Sequence, residues 1–392
     1  MKVLRALLLL LVSVVGGSLE SQAAAKDALA PFKPAETKIE GEVVLPARRL
    51  GDLLVVEAGV DGRGPFSFIL DTGAGAVFVS PEVAGGSGKG KGAAVYSKEK
   101  GGDRQIGREV SIGSLTLGGA EFKKFRALSV DLADLHAATG ERIDGLLGFS
   151  LFAGVLFTLD FPNGRVVLRQ GKLPAANGED ILSYSLEPGG TPQVVIQIGD
   201  ASVPAVVDSG QSDALSVPKN KGFAFKKGPA EGPLAASLTG RKRREMGRLA
   251  GSVHLGRYIF DTPAAVEEGS TTKIGAGILK DFAVGFDPAA RTVRFEHMGE
   301  SAIVVPSPRT VGLGFIRKAG GWEVVDVIPG TSAASAGVQV GDVLLAVNGR
   351  SVSELSYNAW LSLLQSESSL SIDLRRGENR TQLSLPVGEL VR

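Results

Sequence analysis

The sequence contains no cysteine, which removes disulfide staples, thiolate nucleophiles and every cysteine-ligated zinc or iron–sulfur site. Histidine is nearly as scarce. Its three copies, His136, His254 and His297, are scattered without ligand spacing, so a histidine metal cage is not expected. A Ser-His-Asp triad needs only one histidine and survives that count, but no G-x-S-x-G elbow is present. An excess of charge of one sign is missing too, since 43 Lys and Arg face 42 Asp and Glu. Such a balance makes no long-range field to gather nucleic acid or an anionic membrane surface. The one long apolar run is N-terminal, and its roughly 10 residues fall short of the roughly 20 that a spanning helix needs.

What is present is length, glycine and short apolar runs. The 392 residues exceed one ordinary core, so two or three domains are expected. At 43% hydrophobic and 22% charged, the chain is not a disordered one. The 53 glycines beside short apolar stretches point to a turn-rich β architecture. Met1 to Arg5 carries two positive charges, an apolar stretch follows to Val15, and Ala23-Ala24-Ala25 offers a cleavage site. Residues 1–25 therefore read as a signal peptide, and the protein is expected to be exported, to a periplasm or the medium. Without cysteine a lipoprotein anchor is not expected. Residues 26–44 read as a polar, proline-containing linker.

The chain then repeats itself. One copy runs Leu53 to Gly59, Phe66-Ser-Phe-Ile-Leu-Asp71-Thr72-Gly73 and Ala76 to Pro81; the other runs Gln193 to Gly199, Val203-Pro-Ala-Val-Val-Asp208-Ser209-Gly210 and Ala214 to Pro218. Ten positions separate Asp71 from Pro81, and ten separate Asp208 from Pro218. Further on, Leu146-Leu147-Gly148 precedes Asp160 by twelve positions, as Ile274-Gly275 precedes Asp287. Two β-like runs lie in the middle of the copies, starting at Arg108 and at Leu249, where period-two alternation and glycine turns imply strands and hairpins.

Asp71 and Asp208 carry the candidate chemistry. Each ends an apolar run and precedes a small hydroxyl residue and a glycine. A buried carboxylate needs hydrogen bonds to ionise, and an adjacent glycine lets backbone N–H groups come close. Two such units related by a repeat would meet near a pseudo-twofold axis. At that distance both cannot ionise, so they share one proton. The ionised member can take a proton from water while the protonated member polarises an amide carbonyl. That chemistry needs no metal and no cofactor.

On these residues the chain resembles the aspartic protease superfamily, in the bilobal pepsin-like or duplicated retropepsin-like arrangement, over roughly residues 45–298. The resemblance implies a mainly β fold with two pseudo-symmetric β-barrel lobes, residues 45–172 and 173–300, and a polypeptide substrate. It implies that Asp71 and Asp208 are catalytic, supported by Thr72, Gly73, Ser209 and Gly210, with the two hydroxyl residues cross-bracing the pair. It places Leu146-Leu147-Gly148 and Lys273-Ile274-Gly275 under the active-site loops, with Lys273 where an apolar residue is usual. A flap hairpin is implied at about 93–108, tipped by Gly101 and Gly102, with a counterpart at about 238–249. Tyr96 is then either a flap tyrosine or an ordinary strand aromatic. Because one chain holds both half-sites, a monomer is expected.

The pattern changes after a boundary near 300–308. Val311 to Ile316, Trp322 to Ile328, Asp342 to Asn348 and Leu370 to Leu374 read as strands, and 353–366 reads as a helix. Gly312-Leu313-Gly314-Phe315 with Pro329-Gly330, Gly341-Asp342 and Asn348-Gly349 resembles a PDZ domain over about 308–390. Successive backbone N–H groups in a glycine-rich loop can hold a carboxylate, and an edge strand can accept an extended peptide. The expected groove is Gly312, Leu313, Gly314, Phe315 and Ile316 facing the helix, with a peptide C-terminus or an extended segment as partner. An alternative is a non-catalytic peptide-binding protein that uses the PDZ domain and an inactive cleft.

Three further signals are weaker. Ser97 to Lys100 fits S-x-x-K without a buried helix to desolvate the lysine. The loop Gly85 to Gly92 lacks the hydroxyl residue of a phosphate loop. Arg241-Lys-Arg-Arg244 reads as a solvated turn, or as a reader of acidic substrates.

Overall fold

The computed structural model describes residues 32–85, 94–99, 102–237, 240–297 and 302–391. The expected signal peptide, residues 86–92 of the glycine-rich loop, Lys100 of the S-x-x-K match and Gly101 at the hairpin tip lie outside these residues. Among the described residues the architecture is mostly β, and no helix is long and apolar enough to cross a membrane.

The repeat becomes two copies of one strand arrangement. The strand Arg63–Asp71 lies parallel to Gly145–Gly148, with Gly148 opposite Asp71. In the second half Ala201–Asp208 lies parallel to Thr272–Gly275, with Gly275 opposite Asp208. In each copy a short antiparallel strand completes the corner, Phe78–Val79 in one and Leu215–Val217 in the other. The run Phe68-Ile69-Leu70 is apolar throughout because both faces of this strand are covered. Phe68 and Leu70 enter the main core, and Ile69 enters a second cluster with Val55, Phe78 and Leu146.

A six-stranded sheet joins the halves. Its order is Ile181–Ser183, Thr292–Glu296, Ala283–Asp287, Leu156–Asp160, Arg165–Arg169, Val43–Pro46. The lobes expected at 45–172 and 173–300 thus share their central sheet. At the seam Phe157 pairs with Phe286, the two rings stacked at 4.9 Å. Phe152 stacks on Phe157 at 4.5 Å and Phe149 meets Phe286 edge-on at 5.4 Å.

The linker reading of 26–44 is corrected from residue 36 onward, residues 26–31 lying outside the described residues. Glu36–Ile39 pairs with the strand Ala120–Val130, and Val43–Pro46 pairs with Arg165–Arg169. Edge strands this short carry little apolar pattern, and their partners are more than 80 residues away. The equally spaced Asp160 and Asp287 are structural: Asp160 holds Arg165 at 2.6 Å, and Asp287 accepts the backbone N–H of Leu173 at 3.0 Å.

The third domain has its own core, which includes Val311, Trp322, Val324, Trp360, Leu364 and Leu385. Leu313–Lys318 forms the edge of its sheet. The helix read from 353 begins instead at Tyr357 and runs to Ser366. Ser356 sets that start by accepting the N–H of Ala359 at 3.1 Å, an N-cap.

This domain is docked on the other two. A long hairpin of the second lobe, Phe225–Ser237 with Gly240–Leu249, reaches it. There Asp326 pairs with Arg243 and accepts the N–H of Leu234 at 3.0 Å. Met246 and Val266 bury Val391. From the first lobe, the helix Ala133–Thr139 packs beside Leu313–Lys318. The turn at Gly51 donates its N–H to Asn358 Oδ1 at 2.7 Å, and Asn358 donates to the carbonyl of Arg49 at 2.8 Å.

Candidate active site

Asp71 and Asp208 are the last residues of their strands. Just beyond them the chains must turn, and the two turns are tied to each other. The Thr72 hydroxyl donates to the carbonyl of Val207 at 2.6 Å and accepts the N–H of Ser209 at 3.0 Å. In return, the Ser209 hydroxyl donates to the carbonyl of Leu70 at 2.8 Å and accepts the N–H of Thr72 at 3.0 Å. Thr72 is 3% exposed and Ser209 0%. Four buried hydrogen bonds across the pseudo-twofold axis fix the two carboxyl-bearing corners relative to one another.

The glycines are required by contact. A Cβ on Gly73 would lie 2.2 Å from Asp208 Cγ, and one on Gly210 would lie 2.3 Å from Asp71 Cγ. Each carboxyl group therefore rests against the glycine of the opposite triplet. Gly148 and Gly275 fit under the corners in the same way, since a Cβ on either would fall 2.0 Å from a carbonyl oxygen, of Ala76 and Asp213 respectively. The following N–H groups complete the match: Phe149 donates to Ala74 at 2.8 Å, and Ala276 donates to Gln211 at 2.7 Å.

Electrostatically the pair is asymmetric. Burial first, then the charge of Asp208 and their mutual hydrogen bond, push Asp71 up to about 8; Lys273 and the N–H of Gly73 pull the other way. Asp208, 3% exposed, accepts the N–H of Gly210 at 3.0 Å. It also meets Lys273 Nζ at 2.9 Å. The charge of Asp208 in turn raises the lysine further above its ordinary range. Burial and the neighbouring carboxyl group thus favour a proton on Asp71, while Lys273 sits beside Asp208.

Lys273 is the site residue whose role the sequence did not reveal. The signal was its place in the repeat, a lysine where the first copy has Leu146. Among the described residues no three His, Asp or Glu side chains converge as a metal site.

The other expected residues lie on the first-lobe hairpin, the second-lobe hairpin and the third domain. Tyr96 and Gly102 lie on the hairpin Ala94–Glu99 with Gly102–Leu117, where Tyr96 pairs with Gln105 and Glu99 with Gly102. The basic run 241–244 is neither a solvated turn nor an open acid-binding patch. Arg241 pairs with Asp134 at 2.8 Å, Arg243 with Asp326, and Arg244 with Asp213. These guanidinium groups reach acids in three different places, the helix Ala133–Thr139, the strand Gly321–Val327 and the turn that follows Asp208.

In the third domain Gly312 takes a left-handed φ of 92°, and a Cβ there would lie 1.8 Å from Thr331 Oγ1. Leu313 is buried, while Phe315 packs with Trp322 and Trp360 at 5.7 and 5.3 Å. Ile316 pairs with Glu323 along the edge strand. A cavity of about 700 Å³ separates this edge from the first lobe, lined among others by His136, Arg142, Asp144 and Arg317 and by neither Asp71 nor Asp208.

Comparison with known proteins gives two family matches. Residues 56–151 match the aspartyl protease family, and residues 323–376 match the PDZ domain. The first match falls within the first lobe; the second lobe follows from the repeat. Among solved structures, the HtrA3 PDZ domain bound to a phage-derived ligand (FGRWV) is similar at 24% identity. It covers 20% of this chain and 85% of that one, with a TM-score of 0.19. No curated protein matches. By its family matches, and with both aspartate corners in place, the chain carries an aspartyl protease domain followed by a C-terminal PDZ domain.

Proposed function

We propose that this protein is an exported aspartic endopeptidase. The observation that carries the reading is the cross-braced pair Asp71 and Asp208, each carboxyl against the other's glycine. A water held between them attacks the carbonyl carbon of a peptide bond. The ionised carboxylate takes the water's proton, and the protonated one donates a hydrogen bond to the carbonyl oxygen. Collapse of the tetrahedral intermediate breaks the C–N bond as a proton passes to the leaving nitrogen, and the products are a carboxylic acid and an amine. The PDZ domain binds a peptide terminus or an extended segment, and export follows from residues 1–25. Mass spectrometry of the mature N-terminus tests the export.

The catalytic reading is tested with a peptide library between about pH 3 and 8. Cleavage blocked by a statine-type inhibitor and lost in a folded Asp71→Ala variant supports it. Peptide binding without cleavage by the wild type refutes it. Lys273 is the one observation that favours the non-catalytic alternative, because a cation occupies a position next to the water-activating carboxylate.

A further inference from the structure

Lys273 and Leu146 are register equivalents, one opposite Val206 and the other opposite Ile69 on the two aspartate-bearing strands. Leu146 is 7% exposed and packs into an apolar cluster. The Lys273 side chain keeps 38% of its exposure and sets Nζ 2.9 Å from Asp208 Oδ2. With an apolar residue there, the singly protonated pair would be a buried anion without a counter-charge. The lysine makes the three groups neutral together.

The other charged groups around it are accounted for. Asp71 faces it across the corner and Glu268 lies just before its strand. Glu268 is within 3.8 Å of Arg244, which is already paired with Asp213. Among the described residues no other cation lies within ion-pair distance of Asp71 or Asp208.

We propose that Lys273 is a positioning residue of the pair, holding Asp208 as the ionised, proton-accepting carboxylate and leaving the shared proton on Asp71. The proposal rests on the endopeptidase reading. It gives the lysine a working purpose: to offset a burial that would otherwise drive both protonation steps of the pair to higher pH.

Rate–pH profiles of wild type, Lys273→Met, Lys273→Gln and Lys273→Arg test it. In the Met and Gln variants both limbs move to higher pH. The acid limb moves by about one unit or more, because the lysine bonds the acceptor directly. Lys273→Arg keeps the acid limb where the wild type has it, whatever its rate. Limbs that coincide in all four proteins overturn the proposal, and so does an arginine variant that shifts as far as the methionine one. Faster cleavage by Lys273→Met at every pH, with unshifted limbs, also overturns it and marks the lysine as a block. If no protein cleaves any peptide, the endopeptidase reading fails separately. Carbon-13 NMR of the aspartate carboxyl groups then still decides. Proton uptake by the pair that begins at higher pH in Lys273→Met or Lys273→Gln upholds the assignment, and uptake at the same pH overturns it.

Discussion

Burial above all raises the Asp71 carboxyl from an ordinary 3.8 to about 8 in the folded chain. Between those two values the unfolded chain has released a proton that the folded one still holds, so unfolding becomes easier as pH rises. The contribution is complete below pH 3.8 and is lost progressively up to about 8. Asp71→Asn removes the proton linkage. Its melting temperature should change less from pH 4 to 8 and should exceed that of the wild type near pH 8, while cleavage falls by about 10³-fold or more. Calorimetry across that range, beside a peptide assay, checks both halves. A wild-type melting temperature that does not fall relative to the variant contradicts the assignment. At the same scale, Thr72→Val strips two buried hydrogen bonds and leaves the N–H of Ser209 without its acceptor. A loss of about 2–4 kcal/mol in denaturant unfolding is expected, with less for Thr72→Ser.

At the scale of elements, the six-stranded sheet ties together the two lobes that carry the carboxyl groups. Phe157 stands at its seam against Phe152 and Phe286. Phe157→Ala should cost about 3–5 kcal/mol by urea unfolding. Cleavage should fall with it under conditions where the variant remains folded, because the two corners lose a common foundation. The long hairpin of the second lobe is held by Arg243 to Asp326, which is 1% exposed. Arg243→Ala should speed amide exchange across Phe225–Ser237 and Gly240–Leu249 while leaving the far edge of the PDZ sheet unchanged. Unaltered exchange in the hairpin would show that the pair does not anchor it. The aspartate strands were legible because a fully apolar run ending in Asp-Thr-Gly or Asp-Ser-Gly recurs at matched spacing. The helix Ala133–Thr139 was not anticipated, although Asp131 accepts the N–H of Ala133 at 2.9 Å and Gly140 closes the helix with a φ of 68°. With seven residues it offers too short a period to register.

At the scale of the whole molecule, both tryptophans, Trp322 and Trp360, sit in the PDZ core. Tryptophan emission therefore reports that domain alone, while far-UV circular dichroism reports the whole chain. The PDZ domain is docked through Asp326, Asn358 and Val391, so the two transitions should coincide in urea. They should separate in the double variant Arg243→Ala, Asn358→Ala. Separate midpoints in the wild type would show that the docking carries little energy.

The sequence by itself determined the repeat, the two aspartate corners with their hydroxyl and glycine neighbours, and the change of pattern at the PDZ domain. Each of these is written in local order, as strand periodicity, turn residues or spacing along one chain. Only the tertiary structure decided that Lys273 meets a carboxylate 65 positions away, that three arginines of one run go to three separate acids, and that residues 36–46 close two sheets. The physical reason is that a side chain's partner across a sheet or between domains depends on register and docking. Those are fixed by burial summed over the whole chain rather than by any short stretch of it.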